Sequence, residues 1–188
     1  MGHGGNVINE LTADHREVDE LFDQLASQPT GTRRRRELAD RLTVELVRHS
    51  VAEEQYLYPT VREHVEGGRT LADRELRDHT EVEKLLKSLE SLEPTDSRFD
   101  QQIAKLQTTV QAHVRDEESR LFPLLADACS AQMLQELGDK VRKAKKTAPT
   151  RPHPSAPHTP PANKILAPGT GLVDRVRDLL TGRRHHIA

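Results

Sequence analysis

Two stretches of the chain share one pattern of polar and aromatic residues. "HSVAEEQYLYP" (residues 49–59) and "HVRDEESRLFP" (residues 113–123) each read His, three residues, Glu-Glu, three residues, an aromatic residue and Pro. The two stretches begin 64 residues apart, and "DHREVDELFDQL" from Asp14 returns at the same distance as "DHTEVEKLLKSL" from Asp78. The repeat predicts two similar halves that pack together about an approximate twofold axis.

Apolar residues recur at every third or fourth position in four long segments, which indicates amphipathic helices. The segments are separated by the breakers "SQPTGT", "EGG" and "EPTDS". Because such short connections force neighbouring helices to run antiparallel, we predict an all-α fold, an up-down-up-down four-helix bundle over about residues 5–127. Pro59 and Pro123 are expected to kink or stop the second and fourth helices near their C-terminal ends.

The chain continues well beyond the predicted bundle. "SAQMLQELGDKVRKAKK" predicts a short fifth helix, capped by Ser130, that packs on the bundle. Residues 147–170 are rich in Pro, Thr, Ala and Ser and offer too little apolar surface to fold. "GLVDRVRDLLTGRR" predicts either a tethered docking helix or a weakly structured tail. We therefore divide the chain into a bundle (1–146), a Pro-rich linker (147–170) and an amphipathic C-terminal segment (171–188).

Composition limits the classes of partner. The net charge is −2 over 188 residues, which gives no reason to expect nucleic acid or an anionic membrane as a partner. No stretch approaches 18 consecutive apolar residues, and the single cysteine, Cys129, fits a reducing compartment. We expect a cytoplasmic protein, with self-association or protein docking through the C-terminal segment as a further prediction.

Polar residues occupy core positions of the apolar stripes. His49 and Glu53 are four residues apart and so share one helix face, as do His113 and Glu117. His15 and His79 lie on the stripes of the first and third helices, at a level able to meet them. Burying these charged groups unpaired would be costly. The alternatives are a metal site and a purely structural polar network, and the doubled arrangement favours the metal.

The donor types narrow the choice of metal. Six mixed nitrogen and oxygen ligands exceed what a four-coordinate structural zinc needs, and they suit two metals bridged by carboxylates. Imidazole and carboxylate without thiolate favour iron over manganese or zinc. The ferritin-like carboxylate bundles use Glu-x-x-His instead, and no acidic residue stands three positions before any of the four histidines. This site therefore belongs to a different class.

The doubled His-x-x-x-Glu-Glu pattern, with the two upstream Asp-His pairs, resembles the hemerythrin family, specifically the bacterial HHE cation-binding domains, over about residues 6–145. The resemblance implies a four-helix bundle that holds two iron ions with an oxo or hydroxo bridge. It implies that Glu53 and Glu117 bridge the two irons, and that four histidines are terminal ligands: His15, His49, His79 and His113.

The sequence departs from the oxygen carriers of that family at two positions. Those carriers have a second histidine one turn after the ligand on the third helix, where this chain has Glu83. They place the last carboxylate five residues after the fourth-helix histidine, where this chain has Glu118 in addition to Glu117. With four histidines the irons keep open positions, and Tyr56, Glu83 and Glu118 are candidates for additional ligands or for supporting contacts.

We therefore expect a non-haem di-iron protein that binds or reacts with dioxygen, hydrogen peroxide or nitric oxide. If it is an enzyme, the expected activity is a catalase-like breakdown of peroxide in oxidative-stress defence. The alternative is a regulatory module that senses iron or oxygen without turnover. The amphipathic C-terminal end favours this alternative, because loss of metal could change what that end contacts.

Overall fold

The computed structural model describes residues 3–156, 158–160 and 162–180, and these form eight α-helices with two π-helical turns and no strand. The remaining residues of the expected C-terminal segment, 181–188, lie outside the described residues. The helices are α1 (Val7–Ser27), α2 (Arg33–Ala52), α3 (Tyr58–His64), α4 (Gly68–Glu90), α5 (Ser97–Asp116), α6 (Phe122–Ala128), α7 (Ala131–Thr147) and α8 (Ala162–Leu180).

The bundle is all-helical, as the sequence predicts, and the turns fall at the expected breakers. Helix α1 begins with a capping box, in which the Asn6 and Asn9 side chains each accept from the other's backbone N–H. Before α4, Gly67 adopts a φ of 69°, and Gly68 leaves room for the Val61 carbonyl, which would lie 2.0 Å from an added Cβ. This close approach explains the "EGG" breaker.

A π-helical turn interrupts each of the two repeated stretches. Glu53–Leu57 joins α2 to α3, and Glu117–Leu121 joins α5 to α6. Pro59 and Pro123 follow these turns, in the first turns of α3 and α6. The prolines therefore do not stop the helices, which continue to His64 and Ala128. The wider turn removes the regular hydrogen-bond ladder at the point where a proline has no N–H to donate.

The apolar core consists of two clusters. One cluster contains Val18, Phe22 and Leu106, and the other contains Leu11, Leu57 and Tyr58. The four seam histidines fall between them in sequence, because each one separates residues of the first cluster from residues of the second. A polar layer therefore crosses the middle of the bundle, between two hydrophobic regions.

The described residues after the bundle contain more helix than the sequence suggested. Helix α7 is capped by Ser130 as expected and packs against α1 and α2. Residues 148–156 lie along the bundle, and α8 begins at Ala162 and includes Pro168. The expected Pro-rich linker over 147–170 is therefore partly helical. Polar contacts hold it: the backbone N–H groups of Thr150 and Arg151 both donate to Asp174 at 3.1 Å.

Candidate metal centre

The structure brings the six seam residues together in the polar layer. Each is at most 6% exposed, and the Glu53 and Glu117 side chains are fully buried. The Nε2 atoms of His49 and His79 lie 3.1 and 3.3 Å from Glu53 Oε2. The Nε2 atoms of His15 and His113 lie 3.4 and 3.6 Å from Glu117 Oε2. Each carboxylate thus faces two histidines from different helices.

A second carboxylate lies behind each imidazole ring. His15 Nδ1 donates to Glu118 at 2.8 Å, and His79 Nδ1 donates to Glu54 at 3.0 Å. Glu54 and Glu118 occupy equivalent positions in the repeat. Glu118 of the second half therefore orients His15 of the first half, and Glu54 of the first half orients His79 of the second half. Behind His49, Nδ1 donates to Asp14 at 3.2 Å. Behind His113, Nδ1 lies 2.9 Å from Glu75, but the two groups are not aligned as a hydrogen bond.

This arrangement determines which ring nitrogen is free. A histidine that donates through Nδ1 presents the unprotonated Nε2 in its neutral form, and such carboxylate–histidine pairs are typical of metal ligands. All four Nε2 atoms point toward Glu53 and Glu117, and two of them, on His79 and His113, are 3.3 Å apart. The rings are therefore oriented to place four lone pairs around a shared space.

The donor atoms form adjoining groups that fit cations. One group contains ligand atoms of His15, His49, Glu53 and Glu117, and a second contains those of Glu53, His79 and His113. Within each group, all atoms lie within 4.8 Å of one another. Several of the buried atoms have no hydrogen-bond partner, namely His15 Nε2, Glu53 Oε1 and Glu117 Oε2. Unpaired buried atoms of this kind are costly, so the residues present suit cation binding.

Charge compensation in the metal-free chain comes from protons. Burial alone would raise the pKa of Glu53, but His49 and His79 outweigh it and hold that pKa well below its usual range. Burial likewise opposes charge on His49, but Glu53 and Asp14 raise its pKa to about 10. For His79, contacts with Glu53 and Glu54 outweigh burial and raise the pKa well above the ordinary value. A cation that enters this site must displace these protons.

Tyr58 belongs to the site, although the sequence pointed to Tyr56. The Tyr58 hydroxyl lies 2.9 Å from His79 Nε2 and donates to Glu117 Oε1 at 3.0 Å. Burial and the surrounding carboxylates raise its pKa well above the ordinary value, so it is a hydrogen-bond donor. The Tyr56 ring instead contacts Lys164, whose ammonium nitrogen lies 4.3 Å from the ring centroid.

The π-helical turn explains why Tyr58, rather than Tyr56, reaches the site. A regular α-helix aligns residues three or four apart, which selects Tyr56, whereas the wider turn aligns Glu53 with Tyr58. The repeat provides a signal that could have found it, because the aromatic residue before each proline is placed alike. In the other half this residue is Phe122, whose ring stacks on His15 at 5.8 Å between centroids.

The other candidate residues differ in their positions. Glu118 supports His15, as described above, whereas Glu83 faces the C-terminal residues and accepts from the His153 backbone N–H at 3.0 Å. Glu83 is therefore not placed as an additional ligand. Sequence reasoning also missed Glu75, whose oxygens form a further candidate cation group with His113 and Glu117. Burial raises the pKa of Glu75.

Comparisons with known proteins identify the family and the fold. Residues 6–125 match the model of the hemerythrin HHE cation binding domain. An uncharacterized hemerythrin-like protein of Schizosaccharomyces pombe is 28% identical over 178 residues, covering 93% of this chain and 86% of that protein. A solved HHE cation binding domain-containing protein from Mycobacterium kansasii has the same fold, with a TM-score of 0.66 and 22% identity over 75% of this chain and 85% of that one.

A more partial likeness is to a DNA nickase of Nostoc, which is 30% identical over 141 residues. That match covers 74% of this chain but 39% of the nickase. The absence of a nucleic-acid partner therefore stays a prediction. In the described part of the chain, no helix is long and apolar enough to span a bilayer. The family match covers more than half of the chain and includes all six seam residues, and the chain belongs to the hemerythrin HHE cation-binding domain family.

Proposed function

We propose that this chain is a non-haem di-iron protein that reacts with small oxygen species, with hydrogen peroxide as the principal substrate. The observation that supports this proposal is the convergence of four imidazole Nε2 atoms on two fully buried carboxylates, Glu53 and Glu117. A donor set of imidazole and carboxylate without thiolate favours iron. Two groups that share Glu53 suit two ions bridged by carboxylate.

The chain's own residues determine how the ions are held and what reaches them. His15 and His49 would hold one ion and His79 and His113 the other, with Glu53 and Glu117 between them. Bound iron supplies reversible electron transfer to dioxygen, peroxide or nitric oxide. The Tyr58 hydroxyl lies at the same place as a hydrogen-bond donor to Glu117, where it can orient a carboxylate oxygen or a bound small molecule.

The space beside the site limits the size of the substrate. A cavity of about 10 Å³ is lined by the four histidines together with Val18, Val82 and Val110. This volume accommodates about one water-sized molecule. The valine walls are apolar, and a space of this size favours small molecules over organic substrates.

The decisive experiment measures metal content and peroxide turnover together. We expect about two irons per chain, an ultraviolet–visible spectrum that changes on addition of hydrogen peroxide, and evolution of one O₂ for every two peroxides consumed. Glu53→Gln removes a shared carboxylate charge with little change in volume and should lower both iron content and turnover. Tyr56→Phe is the matched control and should leave both unchanged. Folded protein without stoichiometric iron would contradict the proposal.

A sensor is the second candidate function. The contact that favours it is the one between Glu54, which supports His79, and His158 in the residues after the bundle, at 3.1 Å. Removal of metal would then be transmitted to residues 148–180. Two irons per chain without peroxide turnover, with a chelator-induced rise in hydrogen exchange over these residues, would support the sensor over the enzyme.

A further inference from the structure

The carboxylates behind the candidate ligands have their own cationic partners. Behind His15, the Glu118 carboxylate accepts two hydrogen bonds from the exposed Arg16 side chain. Behind His49, the Asp14 carboxylate pairs with the buried Lys145 of α7. Buried carboxylates need such compensation because they have lost their hydration. A cation therefore fixes each of these carboxylates from the outer side.

Glu54, the carboxylate behind His79, lacks the cationic partner that its equivalent in the other half has. Glu54 is equivalent to Glu118, and the position equivalent to Arg16 is Thr80, which carries no charge. The Thr80 hydroxyl instead donates to the Leu76 carbonyl of its own helix at 2.9 Å. Glu54 is only 5% exposed, so solvent does not replace the missing cation.

His158, eleven residues after the end of α7 at Thr147, lies where the missing cationic partner would be. Its Nδ1 lies 3.1 and 3.2 Å from the two Glu54 oxygens, and the side chain is 22% exposed. Glu54 thus lies between the His79 and His158 rings and bonds to both. The geometry matches that of the other half, where Glu118 lies between His15 and Arg16.

The contacts that hold residues 148–180 against the bundle keep His158 in this position. The Gln55 side chain donates to the Asn163 carbonyl at 3.3 Å, and the Arg151 guanidinium reaches Glu90 at 3.2 Å. Between these contacts a cavity of about 40 Å³ separates the added residues from α2 and α4, and Glu54 and His158 both line it. These contacts attach the extension on either side of His158.

We propose that His158 is a positioning residue of the metal centre, the hydrogen-bonding partner that holds Glu54 against His79 in the place that Arg16 holds behind Glu118. This inference rests on the proposed metal centre. Its consequence is that the C-terminal extension is part of the site, although it lies outside the bundle. Loss of His158 should loosen the His79 ring and weaken retention of the ion held by His79 and His113, while the ion held by His15 and His49 is unaffected.

The test compares the rates at which a chelator removes iron from the full-length chain. Protein is loaded anaerobically with Fe(II), and ferrozine absorbance follows iron release from the wild type and three variants. The variants are His158→Ala, His153→Ala and the double variant His158→Ala/Thr80→Arg. His153→Ala is the matched control because that ring bonds Asp174 rather than Glu54. Thr80→Arg supplies the missing cation from α4, as Arg16 does from α1.

We expect one of the two irons to leave His158→Ala about tenfold faster, the lower end of the range for partners that orient ligands. The other iron should leave at the wild-type rate, and Thr80→Arg should restore the slow rate. His153→Ala should release both irons at the wild-type rate, because that ring bonds Asp174 rather than Glu54. Circular dichroism of the metal-free variants checks that each one is folded.

Each contrary outcome refutes one part of the proposal. Unchanged release from His158→Ala means that His158 does not position His79. Equal acceleration in His153→Ala means that general docking of the extension matters, rather than the contact with Glu54. Failure of Thr80→Arg to restore the slow rate means that a hydrogen-bond donor to Glu54 is not what retains the iron. A wild type that binds fewer than two irons refutes the proposed function itself, before the variants are compared.

Discussion

Replacement of Tyr58 by phenylalanine tests whether a cation belongs among the buried carboxylates. The substitution removes one hydroxyl and keeps the ring, which is 1% exposed. In the metal-free chain this hydroxyl donates to Glu117 Oε1 at 3.0 Å, and Glu117 Oε2 has no hydrogen-bond partner. The variant therefore leaves a fully buried carboxylate without a donor to either oxygen.

The expected effect depends on whether metal is present. An unsatisfied buried acceptor costs about 1–3 kcal/mol, with charged groups toward the upper end. We therefore expect the metal-free variant to lose about 2 kcal/mol of unfolding free energy, or about 4–8 °C of midpoint for a chain of this size. In the iron-loaded variant the ions neutralise Glu117, so the loss should fall to about 1 kcal/mol or less.

The assay is thermal unfolding of wild type, Tyr58→Phe and Tyr56→Phe, each with and without iron. Tyr56→Phe should have little effect in either state, because its ring contacts Lys164 outside the site. Iron should therefore stabilise Tyr58→Phe more than it stabilises the wild type. An equal loss in both states would refute this reasoning. Loss of one iron from Tyr58→Phe would also refute this reasoning, because the hydroxyl would then be an iron ligand rather than a hydrogen-bond donor.

Two further predictions concern the residues after the bundle. Gly138→Ala should destabilise the protein by about 1–3 kcal/mol in urea unfolding, since an added Cβ would lie 2.9 Å from the backbone that begins α1. Gly169→Ala, which has open space, should not destabilise. The contact of His153 with Asp174 raises the His153 pKa against partial burial, with Glu83 adding to the rise. Its stabilising effect is therefore complete below about pH 6.5 and is lost as pH rises through the folded-state pKa, so hydrogen exchange over residues 149–156, corrected for intrinsic rates, should increase at alkaline pH.

The fold was largely predictable because the spacing of apolar residues and of the breakers determines it. Apolar periodicity identified the bundle helices, and short breakers set their antiparallel order. Apolar periodicity did not predict the two π-helical turns, because each inserts one residue into a helical turn and leaves the apolar pattern on either side unchanged. This explains why Pro59 and Pro123 were expected to kink or stop helices that in fact continue beyond them.

The centre of the site was predictable, and its surroundings were not. The six seam residues share a repeat and a helical spacing, so their convergence follows from sequence alone. Asp14, Glu54 and Glu75 contact their histidines across helices, and no spacing along the chain encodes those contacts. Residues 147–170 were expected not to fold, because they offer little apolar surface. Ion pairs instead connect them to α8, as between Arg151 and Asp178 at 2.7 Å.

The proposed centre extends past the boundary between the bundle and the residues that follow it. Lys145 of α7 compensates Asp14, and His158 compensates Glu54, so two of the four ligand-supporting carboxylates depend on residues that follow the repeated halves. The likeness to the Schizosaccharomyces pombe protein covers 93% of this chain and so extends past the bundle into these residues. The two ions would therefore differ in their surroundings even though the repeat makes their ligands alike. One half is completed by α7 and by a permanently charged arginine, and the other by a titratable histidine on the segment that follows α7.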